Sequence, residues 1–444
     1  MRIPLIIAAA AITMTAATAQ AQDTTVRWND EKQTIEGFGG SSAWFADNWL
    51  AFPEPRRSEI VETLFSPTKG IGCSILRIKI EARGFPEQAR SWDWERKEVA
   101  AQIELISRAR EHGVQTVLAS PWTPPSWMKT NGKRKKGALK KEYYGIYAQA
   151  LSQFVSGMKS EHGVAIDVLS LQNEPDEEKP WESCKWSEDE YIDFLKNHLG
   201  PRLESDRVDV RVMVTEHTMW NKHFKNVVSR ILNDPEASRH VDIVAGHRYR
   251  GPRASAFPAV KQADKPLWMS EYYYEGEGNL AVNNARIVHN FMVKAEANAY
   301  LFWWLMSTPA KTRQSLIQLD GENHTYTVSN KAYAFGNFAR FVRPGYRRIG
   351  MSRHKLDGGV LASAYKDPET GNFALVAINP TDQARQMTVA FEGCKAEAVV
   401  PHRTSNTENL APLQPIALDD QKTLKTELPP QSVTTYAGNA AATP

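Results

Sequence analysis

Up to residue 305, apolar and β-branched residues gather into eight short runs. These cover 34–41, 75–80, 115–120, 168–174, 211–216, 241–247, 266–271 and 299–305. Each run is nearly continuous rather than alternating, the pattern of strands covered on both faces. Between most of them lie stretches such as 98–112, 143–161, 188–199 and 281–297, with apolar residues three or four positions apart. That spacing predicts amphipathic helices. Strand and helix patterns taken in turn predict parallel pairing, and eight such units predict an α/β fold, a closed (β/α)8 TIM barrel over 34–340. A doubly wound open sheet is the alternative, but no Gly-rich phosphate-binding turn follows an early strand.

Beyond residue 340 the pattern changes. The runs 360–365, 373–378, 386–391, 396–400 and 432–436 are short and are divided by Gly, Pro, Asn and Asp. This predicts an attached, antiparallel all-β sandwich over 341–439, followed by a tail at 440–444. The step Arg343-Pro344-Gly345 marks the boundary. The run 24–28 is also strand-like, so residues 22–33 are expected to join the sandwich sheet. At the start, Met1-Arg2 precedes an apolar run at 3–12 that is too short to span a bilayer, and Ala19-Gln20-Ala21 fits the small-x-small cleavage rule. A signal peptide over 1–21 is therefore expected, with a mature protein secreted to the periplasm or the medium. No other stretch approaches about twenty apolar residues, so no membrane partner is expected.

Composition adds little to this and removes several classes. A formal net charge of +3 gives no case for nucleic-acid binding. Cys73, Cys184 and Cys394 lie far apart, without metal-ligand spacing, and their odd number leaves at least one without an intramolecular partner. Tryptophan is abundant, at 13 residues, and indole faces are what sugar rings pack against.

In such barrels function sits where the strands end and the loops to the helices begin. Three strands end in glutamate: Glu174, Glu216 and Glu271. The fourth reads Gln172-Asn173-Glu174-Pro175, and proline should stop the strand and favour extended backbone at Glu174. The seventh reads Trp268-Met269-Ser270-Glu271, followed by three tyrosines including Tyr273. Two carboxylates facing across a barrel mouth can flank a glycosidic bond, one as acid and one as nucleophile or base. Glu216 is the weaker candidate, able to orient a neighbour. The third strand leads into Pro121-Trp122-Thr123-Pro124-Pro125-Ser126-Trp127, a stiff turn that presents Trp122 and Trp127. Trp303 and Trp304 are adjacent on strand eight, so one should face the mouth and the other the helix layer. Arg77, inside strand two, could bond an ionised nucleophile and hold its pKa low. His247 and Tyr249 end strand six, and no second ligand falls at metal spacing near His247, so no metal is expected. The candidates for holding substrate are thus Trp122, Asn173, Tyr249, Tyr273, Trp304, Arg77 and His247. The basic run Lys133-Arg134-Lys135-Lys136 reads as a solvated surface.

At these residues the chain resembles glycoside hydrolase family 30, especially its bacterial xylanase-like members. The motifs run nearly end to end. They are Lys32-Gln33-Thr34-Ile35-Glu36-Gly37-Phe38-Gly39-Gly40, Ser74-Ile75-Leu76-Arg77-Ile78, Ser120-Pro121-Trp122, Gln172-Asn173-Glu174-Pro175-Asp176, Leu267-Trp268-Met269-Ser270-Glu271, Phe341-Val342-Arg343-Pro344-Gly345-Tyr346 and Pro430-Gln431-Ser432-Val433-Thr434-Thr435. The resemblance implies a barrel with an attached sandwich and net retention, with Glu174 as acid/base and Glu271 as nucleophile. It departs from the glucuronoxylan-specific members, in which an arginine just after strand eight holds the uronic acid branch. Here Trp303-Trp304 is followed by Leu305-Met306-Ser307-Thr308-Pro309, with no arginine before Arg313, while Arg248 and Arg250 flank strand six. The expectation is a secreted, monomeric, cofactor-free endo-β-1,4-xylanase acting on plant cell-wall polysaccharide, without strict need for glucuronic acid. A β-1,6-glucanase or other β-glycanase of the family is the alternative. A non-catalytic carbohydrate-binding protein is a further one, against which the carboxylate pair stands.

Overall fold

A computed structural model describes residues 23–250, 253–274 and 276–442; the expected signal peptide lies outside the described residues. Eight parallel strands, Gly37–Ser41, Ile75–Ile80, Thr116–Pro121, Val168–Ser170, Arg211–Met219, Ile243–Arg250, Leu267–Tyr272 and Ala299–Ser307, follow one another around a barrel. Gly37–Ser41 also pairs with Ala299–Ser307, which closes the sheet and leaves it no free edge. Gly39 belongs to this closure. A Cβ there would lie 1.8 Å from the Ile75 carbonyl oxygen, so only glycine lets the two strands approach.

The barrel interior has two layers of different chemistry. Its lower part is an apolar plug of Ile75, Leu118, Val168, Met213, Ile243, Ala245, Trp268, Ala299 and Leu301. Beneath it Glu36 accepts from Arg211 at 2.9 Å and from the Trp268 indole at 3.2 Å. Side chains two positions further along a strand point the same way, and these are Arg77, Ser120, Ser170 and His247. All four are buried. The plug therefore carries a polar layer facing the C-terminal mouth.

Helices such as Lys97–Glu111 and Tyr144–His162 cover the outside, burying Leu105, Ile106, Leu151 and Phe154 against the strands. A hairpin, Ser315–Asp320 with Thr325–Val328, continues from the last barrel strand, a feature the hydrophobic pattern does not announce. The second sheet has its own core around Val26, Trp28, Ile349, Leu375, Phe391 and Tyr436. It is not wholly antiparallel. Thr24–Thr34 runs antiparallel to Arg347–Met351 but parallel to Arg385–Glu392, because this strand enters from the far end of the chain and must leave toward the barrel. Residues 440–442, expected in the tail, extend the strand Ser432–Ala442 instead.

The seam between sheet and barrel is packed and hydrogen-bonded. Tyr365, Ala374, Val376, Ile378 and Val433 belong to the barrel's outer core. That burial on both faces explains why 373–378 reads as a continuous apolar run. Asn337, fully buried on the helix Asn330–Ala339, donates to the His402 carbonyl at 2.9 Å and to Thr435 Oγ1 at 3.1 Å. Asn337→Ala removes both bonds from a dry seam. It should lower unfolding free energy by about 1–3 kcal/mol, seen as a lower denaturant midpoint with an unchanged slope.

Candidate active site

Arg77 is fully buried at the centre of the polar layer. Its Nη1 donates to Glu271 Oε2 at 2.5 Å, its Nη2 to Asn173 Oδ1 at 2.7 Å and its Nε to Ser120 Oγ at 3.1 Å. Nη2 also lies 2.9 Å from Glu216 Oε1. The guanidinium stacks over the Trp122 ring at 4.6 Å. Glu216 accepts from Ser120 at 3.0 Å and from Ser170. Burial pushes its carboxyl upward, but Arg77, His247 and Ser170 outweigh that and hold it down at about 2. Glu216 is thereby held as an anion around neutral pH.

His247 stands among three carboxylates. Its Nδ1 is 3.2 Å from Glu174 Oε1 and 3.8 Å from Glu271 Oε1, and its Nε2 is 3.6 Å from Glu216 Oε1. Burial pulls the imidazole down, yet Glu271, Glu174 and Glu216 together raise it to about 9. An oxygen of Glu174, a nitrogen of His247 and an oxygen of Glu271 all lie within 4.8 Å of one another. Linear spacing along the chain does not show this cluster. By distance it could bracket a cation, but Arg77 and the imidazolium already supply positive charge there. Burial raises the pKa of Glu271 and the neighbouring Glu174 adds to the rise, against His247 and Arg77. Arg77 thus bonds Glu271 as expected but does not bring its pKa below the ordinary value, because burial wins.

Three local distortions aim these groups. The fourth strand stops at Ser170, and Glu174 adopts φ 48°, in the left-handed region rather than the extended one. Its N–H donates to the Glu216 carbonyl at 3.2 Å and that of Asn173 to the Pro121 carbonyl at 2.8 Å, so cross-strand bonds hold the turn. Pro175 disfavours right-handed helix at Glu174, and left-handed backbone meets that restriction equally. Between Thr215 and His217 one residue is added opposite Ala245 and Gly246, a bulge at which Glu216 has φ 46°. A second extra residue falls between Met269 and Glu271, opposite Gly246 and His247. Strict alternation from Met213 and Trp268 would point Thr215 and Ser270 inward; each bulge hands that place to the glutamate.

Above the pair opens a cleft of about 470 Å³. Trp44, Trp122, Trp303 and Trp304 form one group in its lining, Tyr249 and Tyr273 another, with Asn173, Lys179, Trp181, Thr218, Lys311 and Gln314 around them. Trp303 and Trp304 stack on each other at 4.6 Å and both face the cleft. The expected split fails because Gly40 pairs Phe302 and Ser41 pairs Trp304, a bulge that breaks alternation at Trp303. Arg77 and His247, candidates for touching substrate, lie beneath the cleft floor and touch the carboxylates instead. Trp127 packs on Tyr143 and donates to the Phe85 carbonyl, away from the cleft. Arg248 lies over the Tyr272 ring at 5.2 Å, and Arg313 donates to the Gly276 carbonyl at 2.9 Å; the Arg250 side chain lies outside the described residues. Sequence reasoning passed over Trp44, Lys179, Trp181, Thr218, Lys311 and Gln314. Trp44, three residues past strand one, is the one that strand-end logic could have found. A groove of about 1000 Å³ lined by Asn279, Lys331 and Asn406 is larger, but neither carboxylate of the pair reaches it.

Residues 35–266 match the TIM-barrel domain of glycosyl hydrolase family 30, and residues 345–436 match that family's beta sandwich domain. The chain belongs to glycoside hydrolase family 30. It is similar to the glucuronoxylanase XynC of Bacillus subtilis strain 168, at 32% identity over 437 residues, covering 94% of this chain and 92% of that protein. The crystal structure of the family 30 subfamily 8 xylanase Xyn30A from Clostridium acetobutylicum superposes with a TM-score of 0.82 at 30% identity, over 94% of this chain and 100% of that one. Mouse lysosomal acid glucosylceramidase is 28% identical over 410 residues, covering 81% and 77% of the two chains. This family 30 chain is a glycoside hydrolase, with barrel and sandwich arranged as in its solved relatives.

The raised pKa of His247 has a consequence for stability. Free histidine titrates near about 6.5, against about 9 in the fold. The stabilisation it contributes is fully present below the lower value and is lost as pH rises through the higher one. Unfolding free energy, read from denaturant midpoints, should therefore fall between these values, by up to about 1.4 kcal/mol per pH unit. His247→Gln should be less stable at neutral pH and lack that slope. An equal slope in the variant would move the effect to another group.

Proposed function

We propose that the chain is a retaining endo-β-1,4-xylanase, with Glu271 as nucleophile and Glu174 as acid/base. The observation that carries this reading is the approach of the two carboxylates to within 4.8 Å with Arg77 fixed on Glu271. Retaining enzymes hold their carboxyl groups about 5–5.5 Å apart, whereas inverting ones leave about 6.5–9.5 Å for a water. The close pair supports direct attack. Arg77 and the His247 imidazolium face the Glu216 anion, and the Lys179 ammonium adds a further positive charge beside Glu174. The proposed reaction asks for the charge on Glu271 and the proton on Glu174, and the Arg77 bond favours the first of these.

In the first step a Glu271 oxygen attacks the anomeric carbon, the glycosidic bond breaks, and the Glu174 proton passes to the leaving oxygen. Esterification removes the charge of Glu271. Glu174 is left ionised beside His247, with the Lys179 ammonium 3.5 Å from its other oxygen. It then takes a proton from the water that opens the ester, restoring the starting state. Asn173, held by Arg77 and lining the cleft, is placed to bond a sugar hydroxyl next to the reacting carbon.

Xylan is favoured over other β-glycans because relatives named glucuronoxylanase and xylanase match 94% of this chain at 30% identity or more, whereas the endo-β-1,6-glucanase BT3312, over the same share, is 20% identical. A strict demand for glucuronic acid is not favoured. Such a branch needs a fixed cationic fork, residues 306–309 offer no arginine, and Arg248 and Arg313 are engaged elsewhere. The basic start, the apolar run at 3–12 and the Ala19-Gln20-Ala21 step support a reading of export.

Glu271→Ala should fold normally and lose turnover, with azide restoring activity and yielding product of inverted configuration. Rescue with retained configuration would take the nucleophile's role from Glu271. Glu174→Gln should lose far less on aryl glycosides with good leaving groups than on xylan, since those need no proton. Debranched xylan should be cleaved within a few-fold of glucuronoxylan; a drop of about a hundredfold, or roughly 2.7 kcal/mol, would show that a uronate clamp exists.

A further inference from the structure

Trp181 is the one large apolar side chain standing exposed among the described residues, at 48% of its surface. A lone exposed indole on an open face needs no explanation. This one lines the cleft, on the loop that begins at Glu174. The loop around it is held rigidly. Glu182, next in the chain, bonds Lys79 at 2.7 Å and Arg134 at 2.5 Å, and Lys79 is itself buried. The Ser183 hydroxyl accepts from the backbone of Lys179 at 3.0 Å and of Lys136 at 3.1 Å, while Lys129 reaches the Ser183 carbonyl from below. The Trp186 N–H returns to the Pro175 carbonyl at 3.0 Å. Pro180 precedes the indole and limits its backbone further. Such a loop fixes the position of an exposed ring without covering it, which suits an aromatic surface waiting for a partner.

Lys179 lies between the ring and the acid. Its Nζ is 6.0 Å from the Trp181 ring centre and 3.5 Å from Glu174 Oε2, and Glu177 lies 3.7 Å from the same ammonium. The indole is thus on the side of the carboxylate pair where Glu174 stands, which is the side of the departing sugar. The tryptophan group of Trp44, Trp122, Trp303 and Trp304 belongs to other loops of the mouth.

We infer that Trp181 is a binding platform for a pyranose ring of the departing, reducing-end portion of the glycan. This rests on the assignment of Glu174 as acid/base. A platform there acts on polymer, whose leaving group is a sugar chain, and not on an aryl glycoside, whose leaving group ends at one phenyl ring. It should also hold an acceptor sugar against the glycosyl-enzyme and so favour transfer over hydrolysis.

The test compares wild type, Trp181→Ala and Trp181→Phe on soluble xylan and on a nitrophenyl β-xylobioside. Trp181→Ala should lose about tenfold in kcat/KM on xylan, mostly through KM, while aryl xylobioside turnover stays within twofold. Trp181→Phe should recover most of the loss. Transfer to added xylotriose, measured as product ratio, should fall in Trp181→Ala. Unchanged kcat/KM on polymer would overturn the inference. So would an equal fall on both substrates, which would assign Trp181 to loop folding or to the Lys179–Glu174 contact. A wild type inactive on both xylan and xyloside would count against the xylanase reading alone. The same comparison would then be run on the β-glycan that wild type does cleave.

Discussion

A guanidinium with no access to water organises this barrel mouth. Arg77 cannot lose its proton, and taking its charge out of water costs several kcal/mol unless partners surround it. Three strands answer that demand directly, with Ser120, Glu216 and Glu271, and Asn173 follows from a fourth. Each of these partners is then positioned by what Arg77 needs as much as by its own strand. Glu216 requires its serine donors and the imidazole. The imidazole in turn has all three carboxylates within 4 Å of its nitrogens. A change at any one of them leaves a buried charge elsewhere in the set.

The ranks of the strands were legible in the sequence, but the faces of their ends were not. Continuous apolar runs placed all eight strands near their observed limits, and strand-end logic named Glu174 and Glu271 without a structure. Alternation then assigns Thr215 and Ser270 to the interior, and it sends Trp303 and Trp304 to opposite sides. One inserted residue reverses each assignment. Bulges of this kind leave no reliable mark in composition, since the inserted residues, Glu216, Ser270 and Trp303, share no chemistry. The left-handed backbone at Glu174 was hidden for a related reason. Proline restricts the residue before it, and the choice among the remaining conformations depends on cross-strand bonds to Pro121 and Glu216.

The cleft rim was legible least of all. Lys179 and Trp181 reach the cleft because Glu182 anchors their loop to Lys79 of strand two and Arg134 of a neighbouring loop. Those contacts join segments about fifty to a hundred residues apart, and local patterning carries no trace of them. The basic run around Arg134, which reads as a solvated surface, is partly one: Lys133, Lys135 and Lys136 are exposed. Arg134 instead spends its charge on Glu182, so a segment with no apparent task sets the shape of the cleft.

An ionic cluster this dry is poor evidence of stability, since apolar side chains of similar volume would serve a barrel core as well or better. The layer below shows the alternative, nine apolar residues filling the same width without a charge. The polar layer therefore calls for a reason other than folding, and the proposed chemistry supplies one. A pair of carboxylates must differ in protonation before reaction and exchange that difference after it. In water both would ionise and neither would change easily. Here burial raises the pKa of Glu271, while Arg77 and His247 limit the rise. Glu216, held near 2, takes no part in the exchange. It offsets part of the positive charge that Arg77, His247 and Lys179 bring to the pair. Without it, that charge would favour ionised carboxylates, whereas the proposed reaction needs one proton between them. The third glutamate, the weakest candidate on sequence alone, sets the balance on which the other two depend.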